Sequence, residues 1–528
     1  MWSAELALRE VVTAGVAVNR TWDLAEVHRL IHGGWWASPG HVVAGCGGLP
    51  EGDVPRPAPA HRAGFDGDLF EAASAGQGSL LTPEGHLRAD ALTAWATDDH
   101  RLEQLCRLAL DCQRQQEAAL RSLAGAEGRA AERLLRTAWS ESAAAVLCLE
   151  LERDGLPVDR LAAEDLISAS AGARPRDDAE AAAIRAQRDR AVLAHAPGRD
   201  RTDLRNPAQV RDLLASAGVQ VPNTRAWVLE PYRETHALVD ALLTWRKDER
   251  IATTYGYRWL DDNVGPDDRL RGAWTACDGA AGRMTAQNGL HNLPAPLRPA
   301  ICAEPGHVFV RADLGQIEPR VLAVVSADRA FAEATRSDDL YAPVAAKLGA
   351  DRPRAKVAVL AAMYGQRSGA AGEALKDLER AYPVAMGLLD RAYADGVARR
   401  PVRTYGGRLI RMGAADPQSD GGGIGASSPE AGAARGRFAR NAIIQGSAAE
   451  LFKAWAATVR HAVRPLGGQI VLCLHDELLV HVPQEQAAAA QRAVEDALEV
   501  ASVTWAGTDR VRFVADTGII RRWSEAKG

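Results

Sequence analysis

The stretch VRADLGQIEPR, residues 310–320, sets the reading of the whole chain. Val308-Phe309-Val310 is a short apolar strand, and Asp313 follows at its end. Far downstream, LCLHDELLVHVP (472–483) supplies a counterpart. Ile470 to Leu474 form an apolar run, His475-Asp476-Glu477 interrupt it, and Leu478 to Val482 resume it. That is the pattern of a β-hairpin with charges at its tip. Two carboxylates on adjacent strand ends can hold a pair of hard divalent ions about 3.5–4 Å apart, as two-metal phosphoryl transfer requires. Taken singly, either segment reads better as something plainer: a helix cap at Asp313, or a solvated turn at His475-Asp476-Glu477.

A third stretch, RPRAKVAVLAAMYG (352–365), shifts that balance. Arg352, Lys356, Leu360 and Tyr364 recur every four residues and so share one slowly drifting helix face. The face offers two cations to phosphates, then an apolar surface, then an aromatic ring. Pro353 suits a first helical turn and Gly365 a stop. An ordinary amphipathic helix with two solvated cations is the alternative. Composition weighs against it: only six of the 63 basic residues are Lys, so a Lys at the phosphate position looks retained for its compact charge. The three segments together point to a nucleotidyl transferase.

In this order the segments resemble motifs A, B and C of the family A (bacterial DNA polymerase I type) DNA polymerases. Two further stretches match. GRMTAQNGLHNLP (282–294) resembles the motif that grips the primer–template minor groove, through Arg283. RGRFARNAIIQGSAAE (435–450) resembles the palm helix that contacts DNA, through Arg437, Asn441 and Gln445. The resemblance runs from about residue 140 to the C-terminus and is nearest to a shortened actinobacterial bifunctional exonuclease/polymerase-like subgroup.

The resemblance implies that Asp313 and Asp476, with the Leu314 carbonyl, bind two catalytic Mg²⁺ ions, for which Mn²⁺ could substitute, and that Glu477 supports them. It implies that Arg352 and Lys356 hold the triphosphate, Lys356 acting catalytically, and that Tyr364 guards the template-base position. Glu318 would exclude a 2′-hydroxyl, while Gln316 and His475 would line the nucleotide and primer terminus. The chemistry would be in-line attack of a primer 3′-hydroxyl on a dNTP, driven by positioning and charge neutralisation. Three departures stand out. Leu314-Gly315 replaces the family's Tyr-Ser, Pro319 follows Glu318, and Leu360 stands where the family carries Phe or Tyr. Loss of that ring is expected to weaken nucleotide stacking and alter sugar discrimination.

Length and composition agree. A chain of 528 residues exceeds one core, so two to four domains are expected. With 47% hydrophobic residues and net charge −5 it reads as a soluble globular protein without an overall basic signature. Any nucleic-acid channel must therefore be a local basic face, which disfavours a passive DNA-coating protein. Seven scattered cysteines give neither a zinc ribbon nor a disulfide framework and read as buried residues in a reducing cytoplasm. No signal peptide, membrane span or short-period repeat is evident. The expected partners are primer–template DNA and dNTPs, with no membrane, for a monomer in the cytoplasm associated with the nucleoid.

The expected architecture is α+β multidomain, a right hand with an antiparallel palm sheet, helical fingers and a helical thumb. A small degenerate exonuclease-like α/β domain would precede it. The segments are 1–135 for that truncated, vestigial 3′–5′ exonuclease-like part and 136–255 for the thumb and the start of the polymerase region. The palm would take 256–330 and 425–528, and the fingers 331–424. Residues 47–85 read as a loop or linker with a possible short element at Asp68-Leu69-Phe70-Glu71, and 86–150 as largely helical. GLPVD (155–159) breaks that pattern, Asn206-Pro207-Ala208 starts a helix, and 416–434 reads as a mobile loop. From residue 484 an amphipathic helix leads into a strand-like VRFVADTGII.

Proofreading domains of the family hold a metal pair with four carboxylates. Asn19 to Asp23 resembles their N-x-x-x-D, and Trp95 to Asp99 their Y-x-x-x-D with Trp for Tyr. No D-x-E occurs before residue 140. With half the ligands missing a metal pair could not be held, so 3′→5′ activity is expected to be absent. A 5′-nuclease domain is likewise not expected. Two alternatives stay open: a phage-type single-subunit RNA polymerase, disfavoured by Gln316, Glu318 and Glu477, and a catalytically weak primer–template-binding repair scaffold, disfavoured by the paired aspartates and Lys356.

Overall fold

A computed structural model describes residues 1–56, 78–125, 128–365, 369–413, 428–474 and 476–526. The Asp68-Leu69-Phe70-Glu71 element, most of the Gly- and Ser-rich tract and His475 lie outside the described residues. The chain forms two compact units. One comprises Met1–Asp154, Ala273–Ala286 and Gly306–Ile519, and the other Gly155–Gly272, Gln287–Pro305 and Ile520–Gly528. These units group 136–154 with the N-terminal residues and carry the second unit to 272, on different lines from the five expected segments.

The first unit begins with α1 (Ala4–Thr13), α2 (Leu24–His32), α3 (Pro39–Gly47), α4 (Asp99–Leu123) and α5 (Gly128–Asp154). Ser3, Asp23, Ser38 and Asp98 cap the first four through their side-chain oxygens. Their apolar faces meet around Trp22, Val27, Leu30, Val42, Leu105, Leu120 and Leu134. The expected α/β character of this region is not found: among its described residues it is helical, with only an isolated Leu81–Leu87 bridge. Its apolar residues recur at helical rather than alternating spacing, which favours stripes that pack helix on helix.

The second unit opens on the ribbon of β1 (Leu156–Pro157) and β2 (Arg269–Leu270), entered through Gly155 at φ +65°. Its helices are α6 (Arg160–Ala171), α7 (Asp178–Leu193), α8 (Pro207–Ser216), α9 (Ala226–Leu229), α10 (Ala237–Thr254) and α11 (Tyr257–Asn263). As the sequence leads one to expect, Asn206 caps α8, its Oδ1 accepting from Ala208 and Gln209. The core is built on Val210, Leu213, Leu214, Leu238, Leu242 and Trp245.

The first unit resumes with the ribbon β3 (Trp274–Asp278) and β4 (Arg283–Ala286), then β5 (His307–Leu314) and α12 (Ile317–Ser326). There follow α13 (Arg329–Ala334), α14 (Tyr341–Leu348), α15 (Arg352–Tyr364), α16 (Gly369–Ala381) and α17 (Pro383–Val397). A small ribbon, β6 (Val402–Arg403) and β7 (Leu409–Ile410), precedes the long α18 (Pro429–Val463). The chain then makes the hairpin β8 (Gln469–Leu474) and β9 (Glu477–Pro483), α19 (Ala487–Ala506) and β10 (Ala515–Ile520). Residues 429–434, expected in the mobile loop, are instead the first turns of α18: Ser428 caps it and Pro429 occupies its first position. The four-stranded sheet runs β10-β5-β9-β8, with β9 antiparallel to both β5 and β8. Phe309, Val310, Leu472, Leu479 and Val480 are fully buried in it.

A charged cluster lies inside this unit. Glu141 of α5 is fully buried between Lys453 Nζ and Arg408 Nη2, each 2.6 Å from its Oε2. Burial opposes its ionisation, but the two cations hold its carboxyl below the usual range. One turn before Lys453, Glu450 accepts from Gly406 N at 2.7 Å and from the Thr404 hydroxyl, and burial pushes its pKa up to about 7.

Candidate active site

Asp313 is carried by the last turn of the pleat in β5, directly opposite Glu477 in β9. The β8–β9 turn brings Asp476 beside it, and Leu314 N donates to the Asp476 carbonyl at 2.9 Å. Burial and then the Asp313 charge push the Asp476 carboxyl up to about 6. Asp313 is raised too, by burial first, with Glu477 and Asp516 adding repulsion and Arg311 opposing it. Half-buried carboxylates whose ionisation is opposed by burial and by neighbouring acids form a site that a cation would relieve. Their hard oxygen donors, with the neighbouring Leu314 carbonyl, fit Mg²⁺ or Mn²⁺.

Arg311 was not anticipated from sequence. Residues two apart on a strand share a face, so Arg311 and Asp313 project together. The guanidinium reaches Glu477 Oε1 at 2.7 Å, Asp313 Oδ2 at 2.9 Å and Asp516 Oδ2 at 3.2 Å, linking carboxylates on three adjacent strands. The period-two spacing was the available signal, but the partners 166 and 205 residues away were not.

After β5 the chain turns at Gln316, whose φ of +55° starts α12. Gln316 Nε2 donates to Asp339 at 3.0 Å and its Oε1 accepts from Leu340 N at 2.8 Å. Asp339 also pairs with Arg352, Nε to Oδ2 at 2.6 Å. Two expected nucleotide-binding residues therefore converge on an aspartate that the sequence did not single out. The fully buried Arg320 fixes this loop by donating to the carbonyls of Gly315, Thr335, Ser337 and Asp338.

Helix α15 starts where expected, with Asp351 accepting from Arg354 N, Pro353 in its first turn and Gly365 at φ +71° ending it. Ala355, Ala358, Val359, Ala362 and Met363 are buried, which leaves Arg352, Lys356 and Tyr364 exposed and Leu360 half-buried. Tyr364 and Gln445 lie beside Glu318, and burial raises the Glu318 carboxyl while Gln445 and Arg283 oppose the rise. Arg283, Glu318, Tyr364 and Gln445 are thus one neighbourhood. Arg437 packs against Gly365, where a Cβ would lie 3.1 Å from its Cγ. The fully buried Arg440 donates to the Ala362 carbonyl and pairs with Asp390 at 2.8 Å, fastening the end of α15 to α18 and α17. Asn441 Oδ1 is buried with no hydrogen-bond partner, an acceptor awaiting a donor.

The N-terminal carboxylates are placed otherwise. Both oxygens of the buried Asp23 accept backbone amides, from Ala4 at 2.6 Å and Glu26 at 3.0 Å, and burial pushes its pKa up to about 7. Asp99 is exposed in the first turn of α4. Asp23 is engaged as a helix cap.

The model of DNA polymerase family A matches residues 193–525. DNA polymerase I of Chloroflexus aurantiacus is 30% identical over 316 residues, covering 54% of this chain and 32% of that protein. The thermostable DNA polymerase I of Thermus filiformis is 28% identical over 334 residues, covering 58% and 38%. The chain thus spans about a third of the length of these curated relatives. Among solved structures, the polymerase domain of Pol1 from M. smegmatis, in complex with DNA primer–template and dNTP, superposes with a TM-score of 0.62 at 21% identity. That match covers 81% of this chain and 76% of that one.

Proposed function

The chain belongs to DNA polymerase family A, and on that premise we propose that it is a DNA-directed DNA polymerase that extends a primer 3′-hydroxyl with dNTPs and does not proofread. The observation that carries this reading is the pairing of Asp313 with Asp476 across adjacent strands, in the same compact unit as the Lys356 face of α15. In this reading Asp313, Asp476 and the Leu314 carbonyl hold two Mg²⁺ ions. When bound, the ions supply neutralisation of the triphosphate and a lowered pKa at the 3′-hydroxyl.

The remaining work falls to protein side chains. Lys356 meets the triphosphate as a compact charge, and Arg352 joins it by exchanging Asp339 for phosphate oxygens. Glu318, beside Tyr364 and Gln445, closes the space a 2′-hydroxyl would need. Arg283, Arg437 and Asn441 contact the duplex. In this reading Asp23 serves as a helix cap, both its oxygens accepting backbone amides, and takes no part in a metal pair.

The test is extension of a 5′-labelled primer on a DNA template with Mg²⁺ and either dNTPs or rNTPs, beside Asp476→Ala. Extension with dNTPs alone, an inert variant that still binds primer–template, and no shortening of a mismatched primer are expected. Failure of the wild type to extend with dNTPs would refute the polymerase reading. Metal-dependent shortening abolished by Asp23→Ala would refute the absence of proofreading.

A further inference from the structure

A cavity of about 450 Å³ opens in the first unit and shares no residue with the candidate active site. Helices α5, α18 and α19 and the segment before α2 form its walls. Arg20, Arg133, Arg136, Arg460 and Arg464 line it, and among the described residues neither Asp nor Glu does. In a chain of net charge −5 that is a concentrated positive site. Arg460 is neutralised by Glu150 at 2.6 Å, and Arg136 has Glu132 at 3.2 Å. The other three bind neutral partners. Arg464 donates to Asn19 Oδ1 at 3.1 Å, Arg133 to the Tyr405 carbonyl at 2.9 Å, and Arg20 lies over the Trp139 ring at 4.3 Å.

Two further observations indicate what such a site takes. Trp505, 4% exposed, lines the cavity with its indole N–H buried and unpartnered, a donor without an acceptor. Trp139, beneath Arg20, adds a stacked guanidinium–indole surface of the kind on which bases lie. The volume suits one nucleotide. A smaller cavity of about 230 Å³ shares Arg460 and Arg464 but is also lined by Glu150 and Asp154, so the positive lining without carboxylates belongs to the larger one.

We propose that this cavity is a second nucleotide-phosphate site, occupied by single-stranded DNA or by a free nucleotide, separate from the catalytic site. The experiment uses the full chain with its cleft saturated by a primer–template hairpin. Fluorescent oligothymidylate is then titrated in, with dTMP as competitor. The variants are Arg20→Glu and Arg464→Glu, both at exposed positions and each checked by thermal melting.

Oligothymidylate should bind the loaded protein, and each variant should lose roughly tenfold in affinity while primer extension is unchanged. Three unneutralised arginines predict a log–log salt slope of about −2, at about 0.7 per phosphate on a single strand. Full displacement by dTMP would assign the site to free nucleotides, and its failure would assign it to the strand. Absence of binding by either probe, or binding indifferent to both substitutions, would overturn the proposal.

Discussion

Arg311→Met separates two effects that one guanidinium exerts at the candidate active site. The side chain is 10% exposed, and Glu477, its nearest partner, is 12% exposed. Stranding a buried partner costs about 3–5 kcal/mol, and the lower end applies because Asp313 and Asp516 keep more water. For a unit of this size about 3 kcal/mol corresponds to a fall in Tm of about 4 °C. The same guanidinium repels any divalent ion at Asp313. At about 5 Å, even with the dielectric of water, that repulsion is about 1.7 kcal/mol, or more than tenfold in affinity. The variant should therefore be less stable without metal, bind Mn²⁺ about tenfold more tightly, and regain part of the lost Tm when Mn²⁺ is added. Thermal melts with and without Mn²⁺, together with electron paramagnetic resonance of free Mn²⁺, read both quantities. Weaker Mn²⁺ binding, with a Tm gap that widens in metal, would refute the reasoning and make Arg311 an organiser of the carboxylates.

Leu360→Phe restores a ring on the half-buried face of α15 and should lower the dNTP KM by about fivefold, from about 1 kcal/mol of added stacking, and shift dideoxynucleotide use; unchanged values of both in steady-state extension would end that argument. Glu450 titrates at about 7 when folded against an ordinary 4.5, so the folded state binds its proton more tightly. That contribution to stability is complete below pH 4.5 and is lost as pH rises through 7. Urea unfolding of Glu450→Gln from pH 5 to 8.5 should show the variant gaining on the wild type by an amount on the order of 3 kcal/mol, whereas parallel curves would place the proton elsewhere.

What the sequence made legible was local. The apolar runs either side of His475-Asp476-Glu477 define the hairpin, and Pro353 and Gly365 bound α15 by signals that work within a turn. What it concealed was the pairing of charges between distant segments. Asp339 sits in a polar Ser337-Asp338-Asp339 run that reads as a loop, yet it organises Gln316 and Arg352. Arg320 and Arg440 look like surface cations, and their burial follows only from carbonyls that other segments deliver. In the N-terminal region the letter alone does not reveal that Asp23 caps α2, which the Ala4 and Glu26 amides show.

The fully buried Glu141 joins two distant stretches of the chain. It comes from the N-terminal segment, while Arg408 and Lys453 come from the part that holds the paired aspartates. Deleting residues 1–154 would strand two cations in the interior, a penalty of several kcal/mol for each. Residues 1–154 thus hold part of the charge balance of the interior they share with Arg408 and Lys453, and the two stretches should melt as one cooperative transition.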